Sequence, residues 1–193
     1  MVKTINCQTM NKLFLIVLAI LISSIAQSQG KFFTKSGKIE FSSKAPLEDI
    51  EAKNNSVTAL LDSRAGTIQF SVMMKGFEFD KALMQEHFNE NYVESHKYPK
   101  SEFKGVIVNN TEMNYGKEGT YNARIIGKLT IHGVTKDIET FATLKVDDGE
   151  IEGNSSFSIK LSDYNVKIPR LMKDNISNNV KITVKTKLQP LKT

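Results

Sequence analysis

From Tyr121 onward the chain alternates along eleven residues, and this alternation dictates its backbone. Tyr121, Ala123, Ile125, Gly127, Leu129 and Ile131 fall on one side. Asn122, Arg124, Lys128, Thr130 and His132 fall on the other, with Ile126 the exception. A period of two puts successive side chains on opposite faces of a strand, one buried and one wet. The pattern breaks at Gly133 and restarts at Val134. A strand, a glycine turn and a second strand make one hairpin of an antiparallel sheet.

The same alternation recurs along the chain. Ile68, Phe70, Val72 and Met74 alternate with Thr67, Gln69, Ser71 and Met73. Ile138, Ala142, Leu144 and Val146 alternate with Thr143 and Lys145, and Val180, Ile182 and Val184 with Lys181, Thr183 and Lys185. Asp148-Gly149 is the strongest turn signal, because a type I′ turn needs positive φ at both central residues. Eight runs result: 32–42, 48–62, 66–79, 102–110, 119–132, 136–147, 150–162 and 179–190. Strands this long, in sequence, predict a closed up-and-down antiparallel barrel, because closure removes the exposed edges. An eight-stranded barrel has room inside for one small ligand. An open sandwich is the competing architecture.

One segment departs from period two. Asp80 can cap a helix. Leu83, Met84, His87, Phe88 and Tyr92 then share one stripe at helical spacing, and Pro99 bars helix beyond it. A short helix near residues 81–92 is predicted across one barrel mouth, with methionine and aromatics turned inward.

The chain begins with Lys3 and Lys12, then an unbroken apolar run of ten residues from Leu13 to Ile22, then small residues through Ala26-Gln27-Ser28. That is the form of a secretory signal peptide over residues 1–28, too short to anchor the protein stably in a bilayer. The single cysteine, Cys7, precedes the apolar run, so no lipid-attachment cysteine follows it. Cleavage after Ser28 leaves 165 residues without a thiol, and one domain from residue 30 to 193. A domain of that size buries about 70% of its unfolded surface and needs no disulfide staple. The expected location is periplasmic or secreted. Loss of the leader lowers the formal charge from +5 to +3. No basic run is interleaved with aromatics, so nucleic acid is not an expected partner.

Catalytic patterns are missing. His87, His96 and His132 stand without H-E-x-x-H or H-x-H spacing, and no metal ion or other cofactor is expected. There is no G-x-S-x-G elbow and no glycine-rich phosphate loop. The paired acids Asp147-Asp148 belong to a turn. Phe70, Val72, Met74, Phe77, Phe79, Met84 and Phe88, by contrast, lie within twenty residues. Such side chains suit either a core or a pocket for a flexible apolar chain.

Four stretches together resemble the YceI-like family, exported bacterial proteins with a lipocalin-like barrel that bind polyisoprenoid chains. They are H-F-N-E-N-Y-V-E-S-H-K-Y-P (87–99), F-K-G (103–105), G-K-L-T-I-H-G-V-T-K (127–136) and the last strand, 180–184. The run A-L-M-Q-E-H-F (82–88) keeps the histidine but lacks an Arg-Asp pair common before it, and S-D-Y-N (162–165) keeps only Asp163-Tyr164 of a late polar turn. The resemblance implies an apolar tunnel through the barrel, a long isoprenoid or other lipid as partner, and no reaction. Interior candidates are Phe70, Val72, Met74, Met84, Phe88, Phe103, Ile125, Leu129, Ile131 and Phe157, with His87, Tyr92 and Tyr164 as polar candidates near a mouth. Two alternatives stand beside this: a structural or interaction protein with a filled barrel, and a metal-dependent enzyme using His87 and His96. Oligomeric state and head group are open.

Overall fold

The computed structural model describes residues 30–191, so the signal-peptide reading lies outside the described residues. The alternating runs become strands β1 (Lys31–Lys44), β2 (Asp49–Asp62), β3 (Thr67–Met73), β4 (Glu78–Phe79), β5 (Lys100–Ile107), β6 (Gly119–Ile131), β7 (Val134–Asp147), β8 (Glu150–Lys160) and β9 (Asn179–Pro190). Each long strand pairs antiparallel with the next, and β1 pairs with both β2 and β9. Phe41 faces Ile182 and Ile39 faces Val184 in that closing ladder. The result is the expected closed barrel of eight long strands, lipocalin-like, with the two-residue β4 added to β2. Among the described residues no helix is long and apolar enough to cross a membrane.

Turn chemistry agrees with the backbone. His132 and Gly133 have φ of 50° and 73°, Asp148 and Gly149 of 47° and 72°. Both pairs make two-residue turns whose positive φ matches strand twist. Helix α1 (Ala82–His87) follows β4 and widens into a π-turn over Phe88–Tyr92.

Two expectations shift. The run 66–79 is not one strand: β3 stops at Met73, and Met74–Gly76 turn away. Buried Asn54 causes this, donating from Nδ2 to the Met73 carbonyl at 2.9 Å. A Cβ on Gly76 would stand 2.8 Å from that same nitrogen, so only glycine lets the turn pack there. The chain then returns as β4 beside Ala52 and Lys53. Asp80 does not cap α1 either. Lys81 occupies the cap position without a side-chain bond, and the Phe79 N–H donates to Gln85 Oε1 at 3.3 Å just before the helix.

Pairing direction assigns the connections to two ends. Residues 45–48, 74–99, 132–133 and 161–178 lie at one end, the upper. Residues 63–66, 108–118 and 148–149 lie at the other, the lower. The lower end is packed solid by Phe32, Leu61, Ile68, Ile107, Leu144, Val146, Ile151 and Leu188. Beneath them Tyr115 donates to Asn110 Oδ1 at 2.7 Å, and Asn110 donates to the Ser63 carbonyl at 2.9 Å. Burial raises the Tyr115 phenol to about 12.

Gly105 and Gly127 face each other across β5 and β6. A Cβ on Gly127 would meet the Lys104 carbonyl oxygen at 2.5 Å, and the Gly105 Cα and the tip of the Phe103 ring at 2.6 Å. The tip of the Phe103 ring thus rests against bare backbone, the physical content of F-K-G and of the first glycine in G-K-L-T-I. Gly127→Ala is expected to destabilise the fold by ~1–3 kcal/mol through overpacking, read from urea melts followed by circular dichroism. An unchanged melt would mean that the ring moves freely and the pair is not a constraint.

Candidate functional site

Above the packed lower end the barrel holds a cavity of about 490 Å³. That is the size range of small-molecule sites. Its walls are the inward rows of the strands. On β9, Val180, Ile182, Val184, Thr186 and Leu188 all line it. Those eight residue steps, at about 3.3 Å each, span ~26 Å of strand. The bottom is Ile68, Ile125, Leu144 and Leu188, which belong equally to the packed lower cluster. The cavity is therefore blind at that end, where the resemblance implied a tunnel through the barrel. It is also open inside, which a filled barrel is not.

Twelve of the thirteen candidate residues line this space: Phe70, Val72, Met74, Met84, His87, Phe88, Tyr92, Phe103, Ile125, Leu129, Ile131 and Phe157. Tyr164 does not. It is buried behind the wall with Leu129 and Val166, where burial raises its phenol. The helix stripe behaves as its spacing suggests, because Leu83, Met84, His87, Phe88 and Tyr92 all face the cavity. Phe88 fixes one end of that lid. Its ring centroid lies 5.1 Å from Phe79 and 5.6 Å from both Phe41 and Phe77. No residue of α1 itself is buried.

Several lining residues had no signal in the sequence. Met172 and Ile176 come from an irregular segment with no periodicity, and Phe41 from the mid-part of a strand read only as strand. Glu48 and Lys81, paired at 2.8 Å, stand at the mouth. The Lys81 ammonium holds the Glu48 carboxyl below its usual range.

The polar groups of the wall are bonded to the wall itself. Ser101 donates to Met74 Sδ at 3.0 Å, Ser155 to the Phe141 carbonyl at 2.7 Å, and Thr186 to the Gly153 carbonyl at 3.4 Å. Ser43 Oγ accepts from the Ser177 N–H at 2.9 Å. What remains facing the cavity is hydrocarbon and aromatic surface. The polar exceptions are His87, Tyr92 and the Glu48–Lys81 pair from the upper-end segments, with Glu102, which pairs with Lys100 at 2.8 Å, and Asn154 from the strands. His96 is exposed, and among the described residues no group of three or more His, Cys, Asp or Glu side chains could hold a metal ion.

The lid segment is pinned at its far end by the β6–β7 turn. His132 Nδ1 lies 3.2 Å from the Tyr164 carbonyl, and Nε2 lies 2.7 Å from Glu94 Oε2. Each ring nitrogen therefore faces an acceptor, a carbonyl on one side and a carboxylate on the other. The hydrogen bond with His132 chiefly holds the Glu94 carboxyl below its usual range, with Lys97 adding to it. Tyr98 packs edge-on against His132 at 4.6 Å, and a Cβ on Gly133 would stand 2.5 Å from the Tyr98 ring. The H-G of the signature thus receives the Y-P that ends the lid, and Met74 N–H closes the loop on the Pro99 carbonyl at 2.9 Å.

A closed antiparallel barrel with one blind apolar cavity and a short helical lid is the lipocalin-like class of architecture. The YceI-like domain matches residues 19–188, and the chain belongs to that family. No functionally curated protein matches the chain. Among solved structures, a polyisoprenoid-binding domain from Saccharophagus degradans implicated in plant cell wall breakdown has a TM-score of 0.74 at 13% identity, over 84% of this chain and 99% of that one. BcnA of Burkholderia cenocepacia has a TM-score of 0.65 at 18% identity, over 79% and 95%. The YceI protein of Campylobacter jejuni has 0.53 at 19%, over 70% and 82%. At such identities the likeness establishes a shared fold.

The depressed Glu94 carboxyl gives a signed pH effect. Its pairing stabilises the fold above the ordinary carboxylate value of 4.5 and is lost as the pH falls through the lower folded value. Wild type should therefore melt slightly above Glu94→Gln at pH above 4.5, with the gap closing below it. The effect is small because the pair is partly solvated. Thermal melts at stepped pH check it, and a gap independent of pH would remove the ion pair from the lid anchor.

Proposed function

We propose that this protein is an exported carrier that holds one long apolar chain, of polyisoprenoid or isoprenoid-quinone type, in its barrel without reacting with it. The observation that carries the reading is a deep cavity whose wall hydroxyls are bonded to the wall, leaving hydrocarbon to meet a ligand. Burial contributes roughly 25 cal/mol per Å² of apolar surface, so a chain needs no strong polar contact along its length. The polar groups at the mouth give the ligand a direction, with the chain down and any head group beside His87, Glu48 and Lys81. The Saccharophagus degradans domain, with its polyisoprenoid ligand class, supports the same chemistry by analogy of fold. Export fits the reading because such a chain needs shielding wherever it crosses water. The leader-like residues 1–28 support export.

Organic extracts of protein purified from its native host should yield a prenyl lipid by mass spectrometry. Intact mass on the same preparation should report cleavage near Ser28. An extract free of lipid would remove the main support. Leu129→Trp gives an independent measurement. The added rings enter the cavity, so the melting temperature should hardly change while binding of a geranylgeranyl probe is lost. A filled interior would instead show an overpacking cost of ~1–3 kcal/mol.

The lid supplies a third measurement. With Phe88 fixed and α1 unburied, amide exchange over Leu83–Tyr92 should slow when the probe is bound. Strong and equal protection with and without the probe would make the segment a fixed plug.

A further inference from the structure

The mouth carries a surface feature that binding alone does not require. Three leucines from separate segments stand out at the upper end: Leu47 is 73% exposed, Leu83 60% and Leu171 94%. A single exposed leucine on a soluble protein needs no explanation. These three are brought together by contacts between their segments. The Leu47 N–H donates to the Asp174 carbonyl at 2.9 Å, and neighbouring Glu48 pairs with Lys81 at the start of α1. They stand where the cavity opens. Leu83 lines that opening, and Met172 and Ile176, from the turn that bears Leu171, line it too.

Charge accompanies the apolar tips. The upper connection 161–178 carries Lys167, Arg170 and Lys173 against two acids, Asp163 and Asp174. All three cations are exposed, and none of them takes part in a salt bridge. Glu48, an acid at the mouth, is paired with Lys81. Apolar tips flanked by unpaired cations match the chemistry of an anionic bilayer surface, where leucine enters the interface and lysine or arginine meets the phosphates.

We propose that the upper mouth docks on an anionic lipid bilayer, with Leu47 and Leu171 inserted and Lys167, Arg170 and Lys173 against the head groups. Docking there sets the cavity opening on the membrane, so an apolar chain passes between bilayer and barrel without crossing water. The role of docking rests on the reading of the cavity as an apolar-chain site; the docking itself is separately measurable.

The test is flotation of protein purified from its native host with phosphatidylcholine vesicles, with and without phosphatidylglycerol. Wild type should float with the anionic vesicles and less with the neutral ones. The double variant Leu47→Glu/Leu171→Glu should bind them about tenfold more weakly or worse, the scale of losing leucine burial. Arg170→Glu/Lys173→Glu should abolish the preference for phosphatidylglycerol. Neither Leu47 nor Leu171 lines the cavity, so both forms should bind a dansyl-tagged geranylgeranyl probe equally in solution. Circular dichroism melts, and the milder Leu171→Ser, guard against a folding defect. Failure of wild type to float, or equal flotation of the double variant, overturns the proposal. So does a wild-type dimer that Leu171→Glu converts to monomer without any vesicle binding, because the leucines then serve a second copy. Leucine-dependent flotation without probe binding would uphold docking and overturn the carrier reading instead.

Discussion

The ladder between the first and last strands is the constraint on which the rest depends. Because β1 pairs with β9 as well as β2, the sheet has no free edge among its eight long strands. Its shape is then set by backbone hydrogen bonds and not by what fills it. A helical bundle with a cavity of about 490 Å³ would lose the packing that defines it. A closed barrel can carry one, provided that enough apolar surface is buried elsewhere. Here it is buried at both ends. Phe32, Leu61, Ile151 and Leu188 fill the lower end, and Val57, Val72, Phe77 and Val93 pack under the lid segment.

The architecture was legible because its signal is local. Alternation in β6, β7 and β9 depends only on neighbouring residues, and Gly149 and Gly133 mark two-residue turns that take the positive φ glycine permits. The helix stripe likewise reported its own inward face. What was not legible depends on distant pairs. That β3 ends at Met73 follows from Asn54, nineteen residues earlier. That Tyr164 belongs behind the wall follows from its packing on Leu129, and no spacing around residue 164 encodes it. Met172 and Ile176 reach the cavity from a segment without period, so only the folded chain places them. The blind lower end was equally hidden, since Ile125 and Leu144 read the same whether they line a tunnel or close a well.

The signature G-K-L-T-I-H-G-V-T-K acquires a mechanical meaning. Its first glycine clears the backbone beneath Phe103, which keeps that ring against the wall and out of the middle of the barrel. Its histidine clasps Glu94 and the Tyr164 carbonyl, and its second glycine admits Tyr98. One hairpin therefore shapes the cavity at one point and anchors the lid at another. The stretches 87–99 and 103–105 are its partners in both tasks. Motifs far apart in sequence occur together because they meet in space.

The polarity of the site follows from these parts. A cavity sealed below admits an apolar chain only from above, and the route passes α1. That helix is held by Phe88 at its C-terminal end, while Leu83 at its start is exposed. Motion is easiest where burial is least, and the Leu83 end is the less buried one. The same end borders Glu48 and Lys81, and the 45–48 turn in between bonds to the segment that carries Leu171. If that rim sits in a bilayer, the ion pair lies in a drier medium than water, where opposite charges attract more strongly. Insertion would then draw Lys81 and Glu48 together and favour the helix start as it now stands. Withdrawal into water would loosen it. Membrane contact and lid position would be coupled through one exposed ion pair, with no further element required.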